Sequence, residues 1–233
     1  MEIVADLHIH TVASGHAVDT LRTICEVAAK KRLQGIAITD HGPAIPGGAN
    51  KVYFMTLTRF TQGIDTPLRV IAGIEDDICS KRGDLTLAAE FLQKLEIITA
   101  GCHPYTWMAE QSLKGRTDAM VNAITRKNIQ VVTHPVGAFY PLDLDAVVDA
   151  CVHSKVALEL NTSKLSERDQ TRSLLEKCAK YEAAIVVNSD AHIADEIGRF
   201  SDAVALLLAM QFPEHLVINR SKESIADFFG IEW

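Results

Sequence analysis

The chain has 233 residues, 48% of them hydrophobic, and its 30 acidic residues outnumber its 23 basic ones, giving a net charge of −7. This size and composition predict a single domain over residues 1–233 with an ample core, since α/β barrels routinely occupy about 200–250 residues. The acidic balance argues against a primary role on nucleic acid, where a basic face is expected, and no apolar run reaches the roughly 18 residues of a membrane span.

Seven short apolar runs rich in β-branched residues predict β-strands, and amphipathic stretches with helical spacing separate most of them. The predicted strands are Ile3–His8, Gly35–Thr39, Leu68–Ile74, Leu95–Ala100, Ile129–Thr133, Val156–Leu160 and Ile185–Ser189. The clearest predicted helices are Leu21–Arg32, Ala119–Lys127, Leu144–His153, Gln170–Tyr181 and Ile197–Met210. Continuous apolar strands suit a parallel sheet covered on both faces, so the alternation predicts an α/β barrel or a doubly wound sheet.

Several connections could carry function as well as join these elements. Gly42–Asn50 contains two prolines and three glycines, which rule out a helix and leave either a substrate lid or a plain connection. Ser80–Asp84 predicts a small hairpin. Asn161–Lys164 follows the sixth predicted strand and fits either substrate contacts or a helix cap. Arg116 and Lys51, in predicted loops after strands, could grip phosphate or simply be solvated.

Seven of the nine histidines, with one glutamate and one aspartate, fall at the ends of predicted strands. The nine residues are His8, His10, His16, His41, Glu75, His103, His134, Asp190 and His192. Side chains at i and i+2 of a strand share a face, so His8 with His10, and Asp190 with His192, can each grip one ion. Because the carboxyl ends of barrel strands converge, all nine are expected to meet around one cavity.

The chemical types of these side chains predict a site for several metal ions. Imidazoles and carboxylates without a thiolate cluster suit Zn, Mn or Fe. Nine candidates are too many for one ion that takes about four ligands, so two or three ions are expected, with Glu75 or Asp190 bridging them. Closely spaced ions acidify bound water to a pKa of about 7 and clamp the oxygens of a phosphoryl group. The other histidines, His153 and His215, fit structural or surface roles.

Short motifs in a fixed order carry a resemblance to a known family. They are Asp6–Thr11 (DLHIHT), Thr39–Gly42 (TDHG), Gly73–Glu75 (GIE), Gly101–His103 (GCH), Thr133–Pro135 (THP) and Ser189–His192 (SDAH), with Ser14 and His16 after the first. The sequence resembles the PHP (polymerase and histidinol phosphatase) family over nearly its whole length, and most closely its YcdX-like stand-alone phosphatase branch. Some relatives have aspartate at the position of His16, so a histidine there points to that branch.

The resemblance implies a distorted (β/α)7 TIM-like barrel with three divalent metal ions, zinc ahead of manganese or iron. In the implied site Glu75 bridges two ions, one shared by His8, His10 and Asp190 and the other held by His103 and His134, while His16, His41 and His192 hold the third. It also implies a metal-dependent phosphatase acting on a phosphorylated small molecule, in which a metal-bound hydroxide attacks a phosphomonoester in line. Glu75, Asp190 and His192 are the expected catalytic residues, Asp190 by orienting or deprotonating the water.

The roles of three polar residues beside the candidate ligands allow more than one interpretation. Asp6 and Asp40 each precede a candidate ligand closely. Each could support an imidazole, cap a helix or form a salt bridge. Ser14 has no dedicated general base, so shaping the loop that brings in His16 suits it better than a nucleophilic role.

Other functions stay open. A phosphodiesterase or 3′–5′ exonuclease could use the same metals, although the chain lacks a basic stretch interleaved with aromatic residues. An amidohydrolase-like C–N or lactone hydrolase also opens with HxH, but such enzymes bridge their metals with a modified lysine, and this chain has Glu75. A non-catalytic metal-binding or regulatory protein is a further alternative. The sequence names neither the substrate nor the oligomeric state, and barrels of this kind often form homo-oligomers.

The cysteines and the N-terminus favour a cytoplasmic location. Five cysteines are scattered and form no CxxC pair, which predicts a reduced protein without structural disulfides. The N-terminus passes directly into a predicted strand and lacks the basic and then apolar layout of a signal peptide.

Overall fold

Seven parallel strands form one sheet in the computed structural model, which describes residues 1–126, 128–137 and 139–233. The strands are β1 (Ala5–Ile9), β2 (Gly35–Ile38), β3 (Arg69–Asp77), β4 (Ile97–Gly101), β5 (Val131–Val132), β6 (Ala157–Asn161) and β7 (Ile185–Asn188). Each pairs with the next in chain order. A parallel bridge between Ile9 and Ala191 joins the first strand to the segment after the last. The sheet therefore closes into a nearly complete barrel, as the family resemblance implies.

Helices alternate with these strands on the outside of the barrel. They are α1 (Leu21–Lys30), α2 (Lys51–Gly63), α3 (Ala89–Leu92), α4 (Leu113–Thr125), α5 (Leu144–Ser154), α6 (Arg168–Tyr181), α7 (Ser201–Ala209) and α8 (Lys222–Phe229). Polar side chains begin several of them: Asn50 accepts from the Val52 amide before α2, and Asp143 accepts from the Asp145 amide before α5. The five predicted helices are confirmed, and α2, α3 and α8 are additional.

Two helix boundaries differ from the sequence prediction for identifiable reasons. Helix α4 begins six residues before the predicted start because Ser112 caps it, its hydroxyl accepting from the Gly115 amide at 3.2 Å. The predicted end of this helix, Lys127, lies outside the described residues. Helix α7 begins at Ser201 rather than Ile197, since Gly198 has a φ of +70°, which an α-helix does not accommodate.

The barrel interior is filled by a buried cluster to which every strand contributes. Its strand members are Ala5, Leu7, Ala37, Ile71, Ile97, Val131, Ala157 and Val186, each no more than 1% exposed. Trp233 packs against this cluster beside Gly35, where an added Cβ would lie 2.5 Å from the indole. The interior is therefore a packed core that fixes the strand ends.

No helix in the part of the chain that the structure describes is long and apolar enough to cross a membrane.

All five cysteines are free, as the sequence predicts.

Candidate metal centre

The nine candidate ligands converge where the carboxyl ends of the strands meet. Three overlapping groups each place ligand atoms within 4.8 Å of one another: His10, His41 and His192; His8, His10 and Glu75; and His41, Glu75 and His103. Glu75 does not end its strand, because β3 continues to Asp77, and the Glu75 side chain is fully buried. The register of β1 against β2 shifts between Asp6 and Ile9, an irregularity of the kind that re-aims neighbouring side chains.

The two carboxylate oxygens of Glu75 face different sets of imidazoles. Oε2 lies 3.2 Å from Nε2 of His8 and 3.1 Å from Nδ1 of His41. Oε1 lies 3.2 Å from Nε2 of His103 and 2.9 Å from Nε2 of His134. One buried carboxylate thus stands between two groups of imidazole nitrogens, from where it could bridge two ions.

Three pairs of imidazoles bring their Nε2 atoms together. The separations are 2.9 Å for His8 with His10, 3.1 Å for His103 with His134, and 2.9 Å for His16 with His192. In a tetrahedral site with Zn–N bonds of 2.0–2.1 Å, two ligand nitrogens lie about 3.3 Å apart. The pairs are therefore close to the spacing of two ligands on one cation.

The opposite ring nitrogen of several of these histidines is held by an oxygen. Nδ1 of His8 donates to Glu159 at 2.7 Å, and Nδ1 of His103 donates to Asp77 at 2.8 Å. Nδ1 of His16 and of His192 donates to backbone carbonyls at 3.1 and 2.9 Å. A proton on Nδ1 leaves the lone pair on Nε2, so these contacts aim the coordinating nitrogens into the cluster.

Two carboxylates that take part in this arrangement were missed by sequence reasoning. Glu159 is 1% exposed in β6, the strand that offers no candidate ligand, and it accepts from Nδ1 of His8 and from the backbone amide of His134 at 2.7 Å. Asp77, at the end of β3, orients His103. The available signal was a charged residue within an otherwise apolar buried strand, because such a residue needs a partner.

The two aspartates that lie close before candidate ligands have different tasks. Asp6 accepts from the amide and the hydroxyl of Ser189 and from the Gly198 amide, so it ties β1 to the segment after β7. Among the described residues, no hydrogen bond joins Asp6 to an imidazole. Asp40 accepts from the hydroxyl of Ser14, which in turn contacts Nδ1 of His10. Only Asp40 supports a candidate ligand.

Burial and charge shift the titration of the cluster in opposite directions. Burial lowers the pKa of His41 to about 2 and lowers the pKa of His10 as well, so both imidazoles stay neutral. Burial also opposes protonation of His103, yet Glu75 and Asp77 raise its pKa to about 10, so a cation that binds Nε2 would displace a proton there. Burial alone would raise the pKa of Glu75, but the facing imidazoles hold it well below its ordinary value. Glu75 therefore stays ionised, and it does so only with positive charge beside it.

Unsatisfied buried atoms mark where that positive charge belongs. Among the described residues, Nδ1 of His41, Oε2 of Glu75 and Oδ2 of Asp77 are buried without a hydrogen-bond partner. The first two face each other at the centre of the cluster. A divalent cation bound there would satisfy both, so the side chains present fit a metal site.

Backbone strain and one close approach hold two of the candidate ligands. His134 and Asp190 have φ values of +30° and +56°, in a region that side-chain-bearing residues rarely adopt. Beside His134, an added Cβ on Gly101 would lie 2.4 Å from the imidazole carbon Cε1. The tertiary packing imposes these conformations, as is common where strain serves a site.

A cavity of about 600 Å³ opens beside the cluster. Five candidate ligands line it: His41, Glu75, His103, His134 and Asp190. The rest of the wall is partly apolar, with Val136 and Tyr140, and partly polar, with Ser163, Lys164 and Glu167. This volume suits a small molecule.

The loop residues considered as phosphate contacts lie elsewhere than expected. Arg116 is in α4, not a loop, and its buried guanidinium donates to the carbonyl oxygens of Gln111 and Pro141. Lys51 is the first residue of α2. Asn161 ends β6 and caps the following turn, its Oδ1 accepting from the Ser163 amide at 2.9 Å, while its Nδ2 donates to Asp190 at 3.2 Å.

The segment Gly42–Asn50 behaves as a folded connection. The amide of Ala49 donates to the carbonyl of His41 at 2.9 Å, and Ile45 is buried. Ser80–Asp84 forms the predicted turn, closed by an antiparallel bridge between Ile78 and Leu85.

Replacing Glu159 with glutamine is expected to weaken metal binding about 10- to 100-fold. A glutamine offers one acceptor oxygen, so it cannot accept from both His8 and the His134 amide as the carboxylate does. Competition against a coloured chelator measures the affinity. Glu176→Gln, an exposed change on α6, is the matched control. Equal affinities in Glu159→Gln and wild type would show that Glu159 does not support the ligands.

Comparison with known proteins agrees with this geometry. Residues 6–193 match the PHP domain family. A protein named "Probable phosphatase" from Caldanaerobacter subterraneus subsp. tengcongensis is 33% identical over 98% of this chain and 91% of its own length. A Shewanella oneidensis protein of the same name is 34% identical over 99% of this chain and 93% of its own.

A solved structure shares the fold at lower identity. Histidinol phosphate phosphatase from Lactococcus lactis, complexed with zinc, L-histidinol and phosphate, superposes with a TM-score of 0.60 at 17% identity, over 90% of this chain and 94% of that one. With the family match over most of the chain and the cluster of metal-ligand side chains at the strand ends, the assignment follows. This chain belongs to the PHP family and is a metal-dependent hydrolase.

Proposed function

We propose that this protein is a phosphomonoesterase with a three-metal site formed by His8, His10, His16, His41, Glu75, His103, His134, Asp190 and His192. The observation that carries the proposal is the position of the Glu75 carboxylate, with Oε2 beside His8 and Oε1 beside His103 and His134. A carboxylate that faces imidazoles on both sides could bridge two ions, each held by one group of imidazoles.

A separate pair of imidazoles supports a third ion. His16 and His192 bring their Nε2 atoms to 2.9 Å, and Nδ1 of each is occupied by a backbone carbonyl. The ring of His41 is centred 5.1 Å from that of His16. These two rings and His41 would hold the third cation, which we take to be zinc ahead of manganese or iron.

In the proposed reaction, the side chains of the site hold the ions and orient the attacking water. When bound, divalent cations lower the pKa of water and offset the charge of phosphoryl oxygens. Asp190 is 11% exposed at the edge of the cavity, and burial opposes its ionisation, yet the imidazoles of His8 and His10 lower its pKa. It would therefore remain a carboxylate able to orient the attacking water. We assign catalytic roles to Glu75, Asp190 and His192.

The cavity favours a phosphorylated small molecule as the substrate. About 600 Å³ accommodates a phosphate at the cluster and a leaving group between Tyr140 and the polar wall at Ser163 and Lys164. Lys164 carries a positive charge that could neutralise part of the substrate. The relatives named as phosphatases and the L-histidinol and phosphate bound by the Lactococcus lactis protein are consistent with this class.

We also propose that residues 1–233 act as one PHP domain, beyond the matched 6–193. Asn219 lies outside the matched range, and its side chain donates to the carbonyls of Ala5 and Val187 and accepts from the Val187 amide. The C-terminal part is thereby tied to β1 and β7 by fully buried hydrogen bonds.

A substrate comparison on one metal-loaded sample tests the proposed function. We expect p-nitrophenyl phosphate and a panel of small phosphomonoesters to be hydrolysed with kcat/KM at least about 100-fold above that for bis-p-nitrophenyl phosphate, a diester. A labelled single-stranded oligonucleotide is assayed beside them, and elemental analysis of the same sample counts the ions. Efficient cleavage of the oligonucleotide with no monoester turnover would instead support the exonuclease alternative.

A further inference from the structure

Ser14 contacts three of the candidate metal ligands although it does not line the cavity. It is fully buried in the short turn Val12–Ser14. Its hydroxyl lies 3.0 Å from Nδ1 of His10 and accepts from the backbone amide of His41 at 3.1 Å. Its carbonyl accepts from Nδ1 of His16 at 3.1 Å. The hydroxyl of Ser14 thus contacts His10 and the backbone of His41, while its backbone carbonyl contacts His16.

Behind Ser14, the buried carboxylate of Asp40 is held by four donors. Oδ1 accepts from the Ser14 hydroxyl and from the Thr11 amide, both at 2.6 Å. Oδ2 accepts from the Thr11 hydroxyl at 2.8 Å and from the Tyr53 hydroxyl, on α2, at 2.5 Å. The carboxylate is therefore fully satisfied, and α2 is connected to the metal centre through it.

The direction of these hydrogen bonds determines where His10 carries its proton. Both oxygens of Asp40 accept hydrogen bonds from Thr11, so the single hydroxyl hydrogen of Ser14 points to Asp40. The Ser14 oxygen must then accept from His10, which places the imidazole proton on Nδ1. The lone pair of His10 consequently lies on Nε2, which faces Nε2 of His8 at 2.9 Å and Asp190 at 3.2 Å.

We propose that Tyr53, Asp40 and Ser14 form a positioning chain that fixes the Nδ1–H tautomer of His10 and the placement of His16 and His41. This inference rests on the proposed function. The positioning chain would set the affinity for the ions that lie on the side of β1 and β2, where His10, His16 and His41 are found. Without Asp40, the Ser14 hydroxyl is free to donate to Nδ1 of His10, and the proton then moves to Nε2, where it blocks coordination. None of the three residues lines the cavity beside the cluster, so all are positioning residues.

The other side of the site is oriented by different groups. Asp77 accepts from Nδ1 of His103, and Gly101 makes room for His134. No hydrogen bond among the described residues links Asp77 to Asp40 or Ser14. The chain formed by Tyr53, Asp40 and Ser14 should therefore affect only a subset of the ions.

Metal stoichiometry and histidine tautomers test the positioning chain without any substrate. Four zinc-loaded proteins are dialysed against a competing chelator: the wild type, Ser14→Ala, Tyr53→Phe and Asp77→Asn. Elemental analysis then counts the zinc that each retains. Ser14→Ala is expected to bind one subset of the ions about 10- to 100-fold more weakly while the rest stay bound. Tyr53→Phe should weaken the same subset to a smaller degree, since it removes only one of the four donors to Asp40.

Nitrogen-detected NMR of the imidazoles supplies a signature that a general loss of stability would not give. The Nδ1–H form of His10 should dominate in the zinc-free wild type and give way to the Nε2–H form in Ser14→Ala. Wild-type zinc retention in both Ser14→Ala and Tyr53→Phe would overturn the proposal. If Ser14→Ala does not fold, Tyr53→Phe decides the matter, because phenylalanine keeps the packing of the ring on α2.

The two sides of the site can be separated by combining variants. Asp77→Asn should release ions on the His103–His134 side, and its effect should add to that of Ser14→Ala in the double variant. Loss of the same ions in both single variants would contradict the assignment to the β1–β2 side. Wild type that hydrolyses no phosphomonoester, with selective zinc loss in Ser14→Ala, would refute the proposed function and leave the positioning chain supported.

Discussion

Replacing Glu75 with glutamine is expected to lower kcat for phosphomonoester hydrolysis by about 1,000-fold or more, which corresponds to about 4 kcal/mol of transition-state stabilisation. The reason is the position of its two oxygens between His8 and His41 on one side and His103 and His134 on the other. A glutamine keeps the shape but loses the negative charge that would neutralise the proposed cations. Steady-state kinetics and elemental analysis of the same preparation measure the loss of turnover and of bound metal.

Two further variants show whether the charge of Glu75 is responsible. Glu90→Gln, an exposed change on α3, should leave kcat and metal content unchanged. Glu75→Asp keeps the charge on a shorter side chain and should fall between wild type and Glu75→Gln. Wild-type turnover in Glu75→Gln that is fully loaded with metal and correctly folded by circular dichroism would refute the bridging role.

Removal of the metal ions should lower the melting temperature as well as abolish activity. Cations that bind the folded state at a concentration about 1,000 times their Kd stabilise it by about 4 kcal/mol. For a chain of this size each kcal/mol changes Tm by about 2–4 °C, so chelation should lower Tm by roughly 8–16 °C. The structural cause is the buried carboxylate of Glu75, whose Oε2 has no hydrogen-bond partner among the described residues.

Differential scanning calorimetry before and after chelation gives this shift directly. Adding zinc back should restore both Tm and turnover, whereas calcium, which prefers oxygen ligands, should restore neither. In Glu75→Gln the chelator should change Tm much less than in wild type. A chelated wild-type protein that melts at its original temperature would show that the histidine cluster folds independently of metal.

The strands and most of the site were predictable because they follow from local patterns. Apolar runs of β-branched residues predicted all seven strands, and the strand-end positions of the histidines predicted their convergence. Helix α2 was not predicted, because the prolines and glycines of Gly42–Asn50 indicate a loop. Asn50, the last residue of that segment, is in fact the cap of α2. Arg116 was expected in a loop after a strand, but the Ser112 cap begins α4 before it.

The supporting residues could not be predicted from local patterns. Glu159 lies 151 positions from His8 and 25 from His134, and only the closure of the barrel brings it between them. Asp6 and Asp40 occupy similar positions next to candidate ligands, yet one ties β1 to the segment after β7 and the other supports His10 through Ser14. Nothing in the residues around them distinguishes these tasks.

The sequence by itself determined the fold class, the residue types of the metal centre and the family, because strand periodicity and the DLHIHT, TDHG and SDAH motifs are local. Only the tertiary structure decided how the imidazoles divide around Glu75, which carboxylates hold their outer nitrogens, and the positive φ of His134 and Asp190. Those features depend on distances across the barrel and on strain that packing imposes. Neither is encoded in the spacing of residues along one strand.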